Sequence, residues 1–452
     1  MIKKIFGTDG IRGRINGYKM NPGTVAEIGI AIAHYFRHYS SYESGVIRVI
    51  IAKDTRLSGY MVESALVSGL VASGIDVTLV GPLPTASIPS LIHSLRANFG
   101  VMITASHNPH YDNGLKIFDH NGCKISDVQQ MRIADIITDI RSGKIENVLS
   151  EPEDLGKVRR MDDAAGRYIE YVKSVYSRER RLSGMKIVLD CANGAAYKVA
   201  PIIFWELGAE VVSINNEPNG KNINENAGSI FPESLSDEVK KHSADIGIAF
   251  DGDADRVLMC DEVGNVIDSD HVIAFIAKYM HETEQLTGGG IVVTSASNHA
   301  LVDYMKSIGL GVWIAEIGDR NVFSTMQELN CNFGGEKSGH IILGDYTTTG
   351  DGILAALQVI NIMIETKQKL SDISSLFDLY PQVMHNHKFD GGNPLDNASV
   401  MQRVEMVVSR NADCRIVVRK SGTENVVRIM IESKDREKIS GILDNIVAAL
   451  AM

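Results

Sequence analysis

Val46-Ile47-Arg48-Val49-Ile50-Ile51-Ala52, then Met61 to Ser73, then Asp76-Val77-Thr78-Leu79-Val80 decide the fold. The first stretch is a short apolar run of strand length, the second carries its apolar residues at helical spacing, and the third is again a strand. A strand, a crossover helix and a second strand read as one unit of a mostly parallel α/β sheet. The alternation continues outward. Phe99 to Ile103 is a further strand and ends in the polar turn Thr104-Ala105-Ser106-His107-Asn108-Pro109. Loops at the carboxyl ends of such strands are where these sheets bind ligands. The charged, irregular stretch from Ile145 to Arg160 reads as a first boundary. Beyond it, strands are expected at Met185–Asp190, Val211–Asn215 and Ile246–Phe250, and in a third unit at Ile291–Thr294 and Val312–Glu316. A last section from about Leu370 holds strands at Cys414–Val418 and Val426–Glu432 and a helical tail from Arg436 to Leu450.

The whole-chain balance agrees with several folded units. At 452 residues the chain exceeds one ordinary core, and about three or four domains are expected. A hydrophobic share of 44% supplies the interior, and charged residues at 22% are ordinary for a globular protein. The net charge of −11 argues against a nucleic-acid binder, which needs a basic face. It leaves room for an anionic small molecule held by a local cluster of cations. Five scattered cysteines form no C-x-x-C pair and cannot all be paired, so reduced thiols in a cytoplasmic setting are expected. The first residues lack the apolar core of a signal peptide, and no stretch reaches membrane-spanning length.

Four motifs carry chemistry. In Asp251-Gly252-Asp253-Ala254-Asp255-Arg256, three alternating carboxylates follow an apolar strand. Alternate side chains of an extended backbone share one side, and carboxylate oxygens are hard ligands suited to Mg²⁺ or Ca²⁺. Arg256 would then stand beside the metal as a phosphate clamp. The same spacing opens an EF-hand loop, although Arg256 stands where that loop needs glycine, and a solvated acidic turn is a further reading. Ser106 presents a hydroxyl at a strand end with His107 and Asn108 beside it, and Lys116 follows; the plain alternative is turn chemistry and a solvated lysine. Gly334-Gly335-Glu336-Lys337-Ser338-Gly339-His340 offers Glu336 and Ser338 to sugar hydroxyls and His340 to proton transfer, or else is a glycine-rich surface turn. Arg419-Lys420-Ser421-Gly422-Thr423-Glu424, with Arg428 beyond, combines cations, hydroxyls and an open backbone into an anion nest, or is a basic β-turn.

Taken together and in this order, the four motifs resemble those of the α-D-phosphohexomutases over the whole chain. The opening Phe6-Gly7-Thr8-Asp9-Gly10-Ile11-Arg12-Gly13, the run Thr347-Thr348-Thr349-Gly350-Asp351-Gly352 and the Arg419 to Glu424 loop look like the branch of that family that isomerises glucosamine phosphates. Asn425 departs from the proline common after the glutamate, which frees an N–H and loosens the turn.

The resemblance implies three α/β domains with mixed sheets and a C-terminal α+β domain, divided at 1–152, 153–256, 257–368 and 369–452. It implies a phosphorylated Ser106, one Mg²⁺ on Asp251, Asp253, Asp255 and the serine, and proton transfer by Lys116 supported by Arg12 and His340. Substrate contacts fall to His107, Arg256, Glu336, Ser338, Arg419, Ser421, Gly422, Thr423 and Arg428. A hexosamine or hexose 1,6-bisphosphate is the implied intermediate and activator, and a sugar phosphate feeding UDP-N-acetylglucosamine synthesis is the implied small-molecule partner, in a possible homodimer. The rival readings are a phosphomannomutase or phosphoglucomutase of the same family, a Mg²⁺-dependent phosphatase, and a sugar-phosphate binding protein without catalysis.

Overall fold

The structure is a computed structural model that describes residues 5–7, 9–40, 45–146, 148–176, 181–421 and 425–451. The chain forms two compact units: one runs up to Ala296 and resumes over Ile308–Leu376, the other joins Ser297–Ser307 to the segment from Phe377 onward.

The first unit contains three mixed sheets. The first has the strands β1 (Ile11–Arg14), β2 (Arg48–Lys53), β3 (Asp76–Pro82), β4 (Phe99–Ile103), β5 (Asp112–Phe118) and β6 (Val158–Arg160), in the order β1-β5-β4-β2-β3-β6. β2 is parallel to β3 and β4, as the strand–helix–strand reading expects, and β5 returns antiparallel beside β4. The second sheet has β7 (Lys186–Asp190), β8 (Glu210–Ile214), β9 (Ile246–Phe250), β10 (Val257–Cys260) and β11 (Val266–Ile267), ordered β11-β10-β9-β7-β8. The third has β12 (Gly290–Thr294), β13 (Gly311–Ala315), β14 (Phe333–Gly335) and β15 (Ile341–Leu343), ordered β13-β12-β14-β15. In each sheet a parallel block carries an antiparallel edge. That edge places a turn beside the carboxyl end of a central strand, and those turns are the serine, acidic and Glu336 loops. The boundaries expected at 152/153 and 256/257 lie just before β6 and before β10 and β11, strands that pair with the sheet on their N-terminal side.

Apolar packing explains the central strands. β4 and β9 are buried at every position, which suits strands covered on both faces. Phe36, from the helix Pro22–His38, stacks on Phe99 with ring centroids 4.1 Å apart. That helix crosses the helix Gly59–Ala72 so closely that a Cβ on Gly69 would sit 2.2 Å from the carbonyl oxygen of Ala26. Among the described residues, no helix is long and apolar enough to cross a membrane.

One buried polar pair makes a testable prediction about stability. Asp351 caps the helix Gly352–Thr366 by accepting from the N–H groups of Ile353 and Leu354, and it accepts from Tyr168 Oη at 2.8 Å. Burial pushes the Asp351 carboxyl up from 3.8 to about 6, against the pull of those three donors. A raised folded value means that this group's contribution is complete below pH 3.8 and is lost as pH rises through about 6. Tyr168→Phe strands an acceptor that is charged above that range, so it is expected to cost about 1–3 kcal/mol. The loss should be larger at pH 8 than at pH 5, which thermal melts at the two pH values will measure.

The second unit is a three-stranded antiparallel sheet of β16 (Gln382–Lys388), β17 (Arg415–Lys420) and β18 (Val426–Glu432), ordered β16-β18-β17. Val427, Ile429 and Ile431 point from β18 into a core shared with the helices Ala398–Arg410 and Arg436–Leu450. This is the expected C-terminal α+β domain.

Candidate active site

Ser106 follows β4 with φ +52°, a left-handed conformation that non-glycine residues adopt rarely. Its Oγ donates to Asp251 Oδ2 at 2.6 Å, and both residues are almost wholly buried. The Asp251 to Arg256 loop reaches the serine because Gly252 leaves room: a Cβ there would lie 2.6 Å from Ser106 O. His107 Nδ1 lies 3.4 Å from Ser106 Oγ. Burial first, and Arg256 and Arg12 second, push His107 down to about 4, so it is neutral at pH 7.

Asp251, Asp253 and Asp255 each offer an oxygen within 4.8 Å of the others, all buried. The loop joins two antiparallel strands, β9 and β10, and an EF-hand, which needs flanking helices, is therefore not formed. A solvated turn is also ruled out by the burial. Burial first, then Asp255 and Asp253, push Asp251 up to about 8. Asp253 Oδ2 accepts from Lys116 Nζ at 2.7 Å and from Thr85 Oγ1 at 2.5 Å, and Asp255 Oδ2 accepts from Lys116 Nζ at 2.5 Å. Their Oδ1 atoms are buried without a hydrogen-bond partner. A cluster with crowded negative charge and two open carboxylate oxygens fits a hard divalent cation.

Lys116, on β5, is 1% exposed. Burial alone would lower its pKa, but Asp253, Asp255 and Asp9 outweigh it and hold the ammonium well above its usual range. Arg12, paired across β1 and β5 with Gly114, binds Asp9 at 2.5 Å. Asp9 also takes Lys124 at 2.8 Å, and Lys124 in turn bonds Asp319 at the start of the helix Asp319–Leu329. Asp319 Oδ2 lies 3.2 Å from His340 Nε2, and Asp255 Oδ1 lies 3.8 Å from His340 Nδ1. Burial opposes charge on this ring, yet Asp319 and Asp255 push His340 up to about 10. The backbone N–H of Gly350 also points at Nε2, at 2.8 Å. A backbone amide can only donate, so that contact needs a neutral ring with its proton on Nδ1, whereas the two carboxylates favour the doubly protonated ring at neutral pH.

Glu336 is buried, its carboxyl raised by desolvation, and its Oε1 accepts from Gly318 N–H at 2.9 Å. Ser338 is exposed on the same loop. Arg256 keeps 24% of its side chain exposed and points its backbone N–H to Asp251 Oδ1 at 3.2 Å. Thus Ser106, His107, Lys116, Arg12, the three aspartates, Arg256 and His340 come together within the first unit, while Glu336 and Ser338 lie on the loop that carries His340. In the second unit, Arg419 stands directly opposite Arg428 in the β17–β18 register, with Ser421 at the end of β17. Gly422 and Thr423 lie outside the described residues.

Sequence reading missed Asp9, Thr85, Lys124 and Asp319. Asp9 stood in the quoted opening three residues before Arg12, and Asp319 follows Gly318 at a helix start.

Comparison with known proteins places the chain. The sequence models of phosphoglucomutase/phosphomannomutase match in register: α/β/α domain I over residues 3–144, domain II over 166–264, domain III over 268–380 and the C-terminal domain over 360–449. The phosphoglucosamine mutase of Brucella anthropi is 46% identical over 452 residues, covering 100% of this chain and 98% of its own. That of Caulobacter vibrioides is 46% identical over 446 residues, 98% of each chain. In structure, a phosphoglucomutase/phosphomannomutase family protein of Burkholderia thailandensis superposes with a TM-score of 0.81 at 24% identity, over 100% of this chain and 98% of that one. The four matched domains and the full-length relatives leave one assignment: the chain belongs to the phosphoglucomutase/phosphomannomutase family of phosphohexomutases, isomerase-class enzymes that move a phosphoryl group within a sugar phosphate.

Proposed function

We propose that the protein interconverts glucosamine 6-phosphate and glucosamine 1-phosphate, with Ser106 as the phosphoryl carrier. The observation that supports this most is the buried contact between Ser106 Oγ and Asp251, 2.6 Å long, in a loop whose other carboxylates face Lys116. Phosphoserine 106 gives its phosphoryl group to the free hydroxyl of the bound sugar phosphate. The resulting 1,6-bisphosphate turns round and returns its other phosphoryl group to Ser106. Phosphoryl transfer needs positioning and charge neutralisation more than covalent help.

One Mg²⁺ held by Asp251, Asp253, Asp255 and the serine oxygen would withdraw charge from the phosphoryl oxygens. Lys116 is the proton carrier at the attacking hydroxyl. While its carboxylate partners hold it charged it acts first as a stabilising cation, with Arg12 as a fixed charge beside it. His340, with its carboxylate partners, is the second candidate for proton transfer. His107 is neutral and can accept from the serine hydroxyl or donate to its phosphate. Arg256 clamps the reacting phosphate, and Glu336 and Ser338 face the sugar hydroxyls. Arg419, Ser421, Gly422, Thr423 and Arg428 hold the distal phosphate, whichever end of the sugar reacts. The division at 1–152, 153–256, 257–368 and 369–452 assigns one of these tasks to each domain. A cytoplasmic setting, a homodimer and a supply role for UDP-N-acetylglucosamine complete the reading, and five free thiols are consistent with the first of these.

Incubation with glucosamine, glucose and mannose 6-phosphates, followed by separation of the 1-phosphates, tests the substrate. An amine at C2 replaces a hydroxyl of similar size, so the preference over glucose is expected to rest on one hydrogen bond, about 0.5–1.5 kcal/mol, or up to about 3 with charge. Mannose moves the C2 group to the other face and should be poorer still. Equal kcat/KM for mannose and glucosamine 6-phosphates would leave only a general hexose mutase. Free phosphate without any 1-phosphate would point to a phosphatase.

A further inference from the structure

Arg56 has a fully buried side chain, and no part of the proposed chemistry uses it. Its guanidinium donates from Nε to Asp54 Oδ2 at 2.8 Å, from Nη2 to Ser106 O at 2.8 Å and Asn108 O at 2.7 Å, and from Nη1 to Pro109 O and to Asp112 O at 3.1 Å. Asp54 Oδ2 also accepts from Thr104 Oγ1 at 2.7 Å, and that hydroxyl accepts from Ser106 N–H at 2.9 Å. The run from Thr104 to Asp112 is thus tied at four carbonyls and one amide to a single buried ion pair. From the second sheet's side, Asn224 Nδ2 donates to Ser106 O at 2.9 Å and to Asn108 O at 3.2 Å.

Burying a guanidinium costs several kcal/mol unless its charge and its donors are matched, and an apolar side chain would fill the same space without that cost. What the charge adds is direction. A rigid planar fork with five donors fixes the peptide planes that face it. Four carbonyl dipoles point inward at Arg56, so their positive ends face away from it. The same anchoring fixes Ser106 at φ +52°, a conformation that persists only where its surroundings over-determine it. From that backbone the Cβ carries Oγ to 2.6 Å from Asp251.

We propose that Arg56 is a positioning residue for phosphoryl transfer: its clamp on four loop carbonyls holds Ser106 in the left-handed conformation that aims Oγ at the acidic loop. The inference rests on the reading of Ser106 as the phosphoryl carrier. It predicts that losing the clamp slows transfer without weakening sugar binding, because no substrate contact is touched.

The test uses the full chain with Mg²⁺, glucose 1,6-bisphosphate as phosphoryl donor and glucosamine 6-phosphate as substrate. Arg56→Met is made together with Asp54→Asn, so that no unpaired carboxylate is left buried. Arg56→Lys keeps a charge but loses the fork, and Asn224→Ala removes the outer two bonds while placing alanine in a left-handed backbone at φ +57°, a cost the melting curve reports, so the question stays answerable if the first variant does not fold. Phosphate uptake on Ser106 is followed by intact mass, kcat and KM by product separation, and the folded fraction by thermal melting. The expected result for the double variant is a fall in kcat of about 100-fold per folded molecule, the scale of a 1 Å misplacement, with KM unchanged and phosphate uptake slowed in parallel. Arg56→Lys should recover part of the rate, and Asn224→Ala should show a smaller loss in the same direction. Wild-type kcat per folded molecule in Arg56→Lys and Asn224→Ala overturns the proposal, as does a loss confined to KM. A wild-type chain that never takes phosphate on Ser106 overturns the carrier reading itself and the clamp with it.

Discussion

Ser106→Ala will leave a folded protein with essentially no isomerase activity. The residue is 1% exposed, and its hydroxyl meets only Asp251 at 2.6 Å and His107 Nδ1 at 3.4 Å, so its deletion changes few contacts. Asp251 is the group most affected. It is already pushed up to about 8, and losing the serine donor raises it further. The alanine chain should therefore hold its carboxyl proton more firmly while melting near the wild-type temperature. Chemically nothing replaces the oxygen. His107 is neutral and close to the same point, but its ring sits on the adjacent residue and cannot occupy the position that the left-handed Ser106 backbone creates. Intact mass should find one phosphate on the wild type and none on the variant. Full turnover by Ser106→Ala would sink the carrier assignment.

Asp253→Asn should be the second most damaging change for activity while being mild for stability. Asp253 Oδ2 holds Lys116 and Thr85, and its Oδ1 is buried with no partner. In asparagine the carbonyl oxygen can still accept from Lys116, which turns the amide N–H₂ toward the space that the other two carboxylates share. Donors then face the position where a cation needs acceptors. The Mg²⁺ concentration for half-maximal rate should rise at least about tenfold, since a lost charged ligand interaction is worth about 1.5–3 kcal/mol, and kcat should fall as well. The buried carboxylates disfavour one another's charge in the metal-free chain, so removing one offsets much of the lost pairing with Lys116. Melting curves with and without Mg²⁺, beside a Mg²⁺ titration of the rate, separate the two effects. An unchanged titration would move the metal site elsewhere.

The central strands were legible because each carries a short apolar run, whereas β6, Val158-Arg159-Arg160, carries none and fell in the stretch read as irregular. β9 and β18 and the final helix fall at the expected residues, while β2 and β13 shift by a residue or two at their ends. The antiparallel edges were less legible. β10 and β11 follow the acidic loop without a break in composition, and only pairing with β9 assigns them to the second sheet. Of the site, the residues that sit in dense motifs were readable, since Ser106 and the three aspartates announce their chemistry locally. Asp9, Lys124 and Asp319 were not, because their meaning is pairwise. Asp9 and Asp319 meet Lys124 only once sequence separations of 115 and 195 are folded away. Arg56 was hidden for a related reason: its partners are backbone carbonyls, which have no signature in a sequence.

The separation of Ser106 from Asp251 by 145 positions also orders events during synthesis. At about 5–20 residues per second, the serine leaves the ribosome on the order of ten seconds before its carboxylate partner exists. During that interval the strands that carry Ser106 and Lys116 can form, but the lysine lacks Asp253 and Asp255, and the hydroxyl faces nothing that could orient a phosphate. His340 arrives later still. A nascent or prematurely terminated chain therefore carries Ser106 without the acidic loop that its hydroxyl meets in the folded protein.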